Sequence, residues 1–164
     1  MSFVSTVIAG GVSPLPEWLG ISIGVLFPFA FAGIWIFASF TISRMGWIRF
    51  ATAYPSHVRP SGRSYSVPGA TFGVLGIRYR SVVRAVVTEA GLYLHVFFLF
   101  RAFHPPFTLP WSSIERVEPY FFLWTRGYVL HIRDSVGSFQ MHVGHALEQE
   151  LRRFVPHLMP AAAS

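Results

Sequence analysis

Residues 18–43 read WLGISIGVLFPFAFAGIWIFASFTIS and carry no charge. As a helix, these 26 residues span about 39 Å at ~1.5 Å per residue. The hydrocarbon core of a bilayer is about 30 Å thick, so the run is long enough to cross with some tilt. It holds 13 Leu, Ile, Val or Phe residues. At roughly −0.3 to −0.6 kcal/mol each near a helix centre, they favour insertion by about 6 kcal/mol. Core helices of this length rarely lack a polar face. The run therefore predicts a transmembrane helix over 18–43. Pro28 lies inside it, which membrane helices tolerate. Gly20 and Gly24 form a GxxxG pair, a candidate helix-pairing face.

The flanks set the orientation. Residues 1–17 contain one charge, Glu17, and no Arg, so they lack the positive start of a cleaved signal peptide. Arg44, Arg49, Arg59 and Arg63 follow the run. Positive flanks stay cytoplasmic. The expectation is an uncleaved anchor in the cell inner (cytoplasmic) membrane. Residues 1–17 form a short extracytoplasmic N-terminus, and everything after the span is cytoplasmic.

Whole-chain numbers agree with an anchored protein. The 164 residues are 52% hydrophobic and 12% charged, about half the charge of an ordinary soluble domain, and mean hydropathy is +0.48. All 13 basic residues are Arg. Without Cys there is no disulfide, thiolate metal site or thiol nucleophile, and without Lys no P-loop or Schiff-base chemistry. The net charge of +6 is uneven. Residues 44–86 hold seven Arg and no acid, whereas residues 87–164 hold six of each.

Residues 44–63 read as an interfacial helix and linker. Trp47, Phe50, Ala51 and Tyr54 fall at i, i+3, i+4 and i+7, one helical face, and Pro55 ends the helix. Trp47, Phe50 and Tyr54 are candidate interfacial aromatics in the headgroup layer. A helix packed on the following domain through the same face fits equally. HVRPSGRSYSVPG (57–69) reads as a loop leading into the domain.

From Ser64 the chain reads as short strands. TFGVLGIRY (71–79) offers Val74, Ile77 and Tyr79 for packing and turns Arg78 and Arg80 outward. VVRAVVT (82–88) is β-branched. GLYLHVFFLF (91–100) reads as the longest strand, broken by HPP (104–106), with His104 as a turn residue. GYVLHIRD (127–134) and SFQMHV (138–143) form a hairpin. Pairing Leu130 with Met141 and Ile132 with Phe139 puts both apolar sets on one face. The same register puts His131, Arg133, Gln140 and His142 on the other. HALEQELRRFVPHL (145–158) reads as a helix with Leu147, Leu151, Phe154 and Val155 as its apolar stripe, and 159–164 as a tail. The fold class is α+β, mainly β: one N-terminal transmembrane helix, then a small antiparallel sheet or barrel over 64–158 with a C-terminal helix.

VVTEAGLYLHVFFLFRAFHPPFTLPWSSIERVE (86–118) resembles the core of bacterial pleckstrin-homology-like and GRAM-like domains. Those place a (D/E)xGL turn between two strands and an (I/L)PW-S-x-I segment before the next. The matching residues are Glu89-Ala90-Gly91-Leu92 and Leu109-Pro110-Trp111-Ser112-Ser113-Ile114. GWIRFATAYP (46–55) is similar to the segment before the domain in uncharacterised membrane-anchored bacterial proteins of this kind. The resemblance covers roughly 64–158. It implies a binding or scaffolding role and assigns no functional residue.

Signals for chemistry are sparse. His142 and His145 form an HxxH, and His131 lies across the hairpin, but no acid sits beside them to complete a zinc site. Asp134 is the only Asp. G-x-G-x-x-G is absent. The sequence pI of about 10.5 suggests nucleic acid, yet the basic block abuts the membrane and the rest is neutral. The expectation is no enzyme, no catalytic residue, no metal, no cofactor and no nucleic acid. The expected function is a single-pass membrane protein presenting a cytoplasmic domain that binds a protein partner or an anionic lipid surface. Arg44, Arg49, Arg59, Arg63, Arg78, Arg80 and Arg84 are the headgroup candidates. The alternative is a structural or accessory subunit of a membrane complex, using Gly20, Gly24, Phe97, Phe121 and Phe122.

Overall fold

The structure is a computed structural model that describes residues 16–73, 76–122 and 124–160. Val74, most of the expected N-terminal segment and the last residues of the tail lie outside the described residues, as does the Phe122 side chain. The chain divides into two units, Met1–Phe37 and Ala38–Ser164.

Helix α1, Glu17–Arg44, runs through Pro28. It is the one helix among the described residues long and apolar enough to cross a membrane, with a mean hydropathy of 2.1 over its best window. In the first unit Phe27, Phe31 and Trp35 stack at i, i+4 spacing, with ring centres 6.2 Å apart at each step.

The second unit is a curled antiparallel sheet of seven strands, a half-barrel. These are β1 (Ser64–Phe72), β2 (Ile77–Thr88), β3 (Gly91–Val96), β4 (Phe107–Pro110), β5 (Ile114–Phe122), β6 (Thr125–Asp134) and β7 (Gly137–Gly144). Their order is β4-β3-β2-β1-β7-β6-β5. The β6–β7 register matches the sequence pattern: Leu130 faces Met141, Ile132 faces Phe139, and all four are buried. His131 and Gln140 pair on the outer face.

Two strand readings are corrected. Residues 71–79 are not one strand: β1 ends at Phe72 and β2 begins at Ile77. Gly73 and Gly76 adopt left-handed φ values of 66° and 63°, which reverse the chain from β1 into β2. Strand β2 then runs unbroken for 12 residues, joining the expected 82–88 strand to Ile77–Tyr79. The 91–100 strand stops at Val96. The Phe97 N–H still donates to the Val82 carbonyl at 2.9 Å, after which the chain winds into a 3-10 helix, Phe98–Phe103. Continued pairing would have put large apolar side chains on both faces, and only the inner face is fully covered.

The C-terminal helix is also shorter than 145–158. A 3-10 turn, His145–Leu147, leads into α3, Glu148–Phe154, and Pro156 opens another 3-10 turn. Leu147, Leu151 and Val155 still fill the core. Phe154 lies flat on Trp111 with ring centres 4.6 Å apart, which seats α3 at the β2–β3 end of the sheet.

The interfacial segment is the largest correction. Helix α2, Trp47–Ala53, is part of the hydrophobic core. Trp47 is fully buried and Phe50 and Ala51 nearly so. Trp47 meets Phe72, Tyr79, His104 and Phe107 at ring distances of 4.9 to 5.7 Å, and Phe50 meets Phe139 at 4.8 Å. The indole N–H donates to the Pro105 carbonyl at 2.8 Å. Tyr54 is half-buried and its hydroxyl donates to Asp134. None of the three lies free in a headgroup layer. The cause is geometric. A half-barrel is open at its ends, and the aromatic face of α2 covers the end where the β1–β2 and β6–β7 turns meet. Gly46 permits the approach, since a Cβ there would stand 2.6 Å from Cβ of Phe72.

If α2 is core, Trp47→Ala costs about 3–5 kcal/mol of stability, whereas the exposed Arg49→Ala stays within about 0.5 kcal/mol. Denaturant titration of the full chain in detergent measures both. Equal, small effects would return α2 to the membrane surface.

Candidate basic surface

The ion pairs sort the arginines. Arg116 pairs with Glu118 at 3.0 Å, Arg133 with Glu115 at 3.4 Å, Arg152 with Glu148 at 2.9 Å and Arg153 with Glu89 at 2.8 Å. All four are from the charge-balanced C-terminal half. Among the described residues no ion pair forms with any arginine of 44–86. The charge separation along the sequence is thus kept in space.

Strand β2 carries the centre of this surface. Arg78, Arg80 and Arg84 are exposed, while Tyr79, Val83 and Ala85 on the same strand are buried. Opposite them stand Thr71, Gly69 and Ser66 of β1, none of which is charged. Arg59 and Arg63 are exposed in the segment before β1, with Arg63 over the Tyr65 ring at 5.5 Å. Arg44 is exposed over the Phe40 ring at 5.4 Å, and Arg49 is exposed on α2. So all seven headgroup candidates are accessible, but they do not form one cluster. Arg44 and Arg49 lie on the helix end and α2, and the other five on or near the sheet.

His95 marks where the tightest group converges. It faces Arg84 across the β2–β3 ladder. Burial holds it below the ordinary His range, and the charges of Arg59, Arg101 and Arg84 push the same way. Its Nδ1 contacts the Val96 carbonyl at 3.3 Å, and its buried Nε2 has no hydrogen-bond partner. Arg101 is absent from the sequence-derived set, because that reading placed it on a strand beyond the basic block. The 3-10 helix brings it back beside β2.

His104 is buried rather than a surface turn residue. Its Nδ1–H donates to the Phe100 carbonyl at 2.9 Å, and Nε2 accepts from the Tyr79 hydroxyl at 3.1 Å. Tyr79 Oη also lies 3.4 Å from the Ile42 carbonyl. Burial lowers the His104 pKa and raises that of Tyr79. This network ties β2 and the 3-10 helix to the last turns of α1.

The remaining histidines disperse. His131 binds Glu118 at 2.8 Å, His145 binds Glu148 at 2.6 Å, and His142 meets the Tyr120 ring edge-on. Among the described residues no group of three His, Asp or Glu is placed to hold a metal ion. Asp134 is occupied structurally. It accepts from Tyr54 and from Ser113 at 2.9 Å, joining α2 to the turn before β5. Gly20 and Gly24 lie on α1 with open space where a Cβ would be.

No protein-family model, curated protein or solved structure matches the chain.

His104 gives a pH test. Its folded pKa is below the unfolded value near 6.5, so the unfolded chain binds the proton more readily. The full contribution is present above pH 6.5 and is lost as pH falls below it, at up to about 1.4 kcal/mol per unit. The denaturation midpoint of the detergent-solubilised chain should fall from pH 7 to 5. His104→Gln should start lower at pH 7 but fall less steeply. Parallel curves would remove His104 as the cause.

Proposed function

We propose that this chain is a non-enzymatic, single-pass inner-membrane protein with its N-terminus outside. Its cytoplasmic domain, of the pleckstrin-homology-like kind, rests its arginine surface on the anionic leaflet. The observation that carries the reading is the set of exposed arginines without carboxylate partners, attached to the end of a helix with the composition of a membrane span. Guanidinium suits this role because it binds phosphate oxygens in pairs and keeps its charge. Each arginine near an anionic surface contributes about 1 kcal/mol. Three features support the domain assignment: the seven-strand antiparallel sheet, the C-terminal helix beside Trp111, and the Gly91-Leu92 and Pro110-Trp111 segments.

A second reading, an accessory subunit of a membrane complex, is favoured by one feature. Trp124 and Phe121 are 93% and 65% exposed at the β5–β6 turn, at the sheet end opposite α2.

The test uses the full chain, because a fragment beginning after α2 lacks Trp47 and Phe50. Ser66 is exposed beside Arg84, and the chain has no Cys, so Ser66→Cys accepts a single fluorophore. In nanodiscs of phosphatidylcholine with phosphatidylglycerol, energy transfer to a headgroup-labelled lipid should exceed that in phosphatidylcholine alone. It should fall steeply as salt shortens the screening length. Equal, salt-independent transfer in both lipids would reject the lipid reading.

A further inference from the structure

The 3-10 helix after β3 begins with three adjacent large apolar residues that face outward. Phe97, Phe98 and Leu99 are 51%, 72% and 54% exposed. The Phe97 and Phe98 rings lean on each other at 4.5 Å. Contiguous apolar surface of this kind marks an interaction site.

Its neighbours indicate the occupant. Phe103, at the other end of the 3-10 helix, meets Phe40 edge-on at 5.6 Å. Arg101, Phe103 and Pro105 share a groove with Phe40, Ser43 and Arg44. Phe40 to Arg44 are the last turns of α1, and Arg44 is the first charge after the apolar run. The 3-10 helix is thus continuous with the point where the chain leaves the hydrocarbon. Arg101 follows the apolar triplet after Phe100, with Arg84 and Arg59 near His95. An apolar tip with an arginine fringe matches the layering of a leaflet, acyl chains below phosphates.

We propose that Phe97, Phe98 and Leu99 form a wedge seated in the acyl region of the leaflet beside the C-terminal end of α1. Arg59, Arg84 and Arg101 sit above it on lipid phosphates. The wedge rests on the leaflet-contact reading and adds to it a second point of attachment.

The test places a fluorophore on Phe98→Cys in the full chain, in phosphatidylcholine–phosphatidylglycerol nanodiscs with or without brominated acyl chains. Phe98 is largely exposed, so the variant should melt with the unsubstituted chain. Bromine should remove most of the emission at position 98 and leave it unchanged for Trp124→Cys, at the far end of the sheet. Equal emission at 98 in both lipids overturns the wedge. If the Ser66→Cys label still responds to anionic lipid in that case, the surface contact stands without the wedge. If that response is absent as well, the leaflet reading has failed with it. Protection of position 98 from both bromine and a soluble quencher, with a dimer in solution, assigns the triplet to a second copy and also overturns the wedge.

Discussion

Everything in the second unit depends on Trp47. Its indole fills the open end of the half-barrel among Phe72, Tyr79, His104 and Phe107, and its N–H takes the Pro105 carbonyl. A curled sheet with free edges at β4 and β5 cannot close that end with its own strands. Trp47 and Phe50, three and six positions past α1, do so instead. The first helix after α1 lies inside the core of the second unit.

The polar contacts reinforce this attachment. Asp134 holds Tyr54 at the end of α2, and Tyr79, bonded to His104, lies against the carbonyl of Ile42. They include the chain's only Asp and a histidine whose pKa burial lowers, two of the few residues that suggested chemistry. Their hydrogen bonds account for both as structural parts. The acids of the C-terminal half are spent largely on that half's own arginines. The arginines of 44–86 are left to face outward without counter-charge.

Much of this was legible from sequence, where one physical constraint acted alone. The charge-free run 18–43 marked the long apolar helix, which spans Glu17–Arg44. The 127–143 hairpin followed from two faces satisfied by one register. The helical face of Trp47, Phe50, Ala51 and Tyr54 was also correct. Its environment stayed open between two readings, since an aromatic face serves a headgroup layer or a sheet interior equally well, and the structure shows the second. Gly73 and Gly76 were hidden because Val74 and Leu75 between them continue a strand-like apolar pattern. The 91–100 run misled for a related reason: alternation continues through Phe97 and Phe98 although the chain has left the sheet. That misplacement also hid Arg101, which joins Arg59 and Arg84 only through the 3-10 helix.

We propose that the domain turns its unpaired arginines to the leaflet. A dicarbonyl reagent that modifies guanidinium, read by mass spectrometry on the full chain in nanodiscs, tests it at the level of residues. The account predicts that phosphatidylglycerol protects Arg59, Arg84 and Arg101 relative to phosphatidylcholine alone, while Arg116 and Arg126 react equally in both. Equal modification of all five in the two lipids would contradict it.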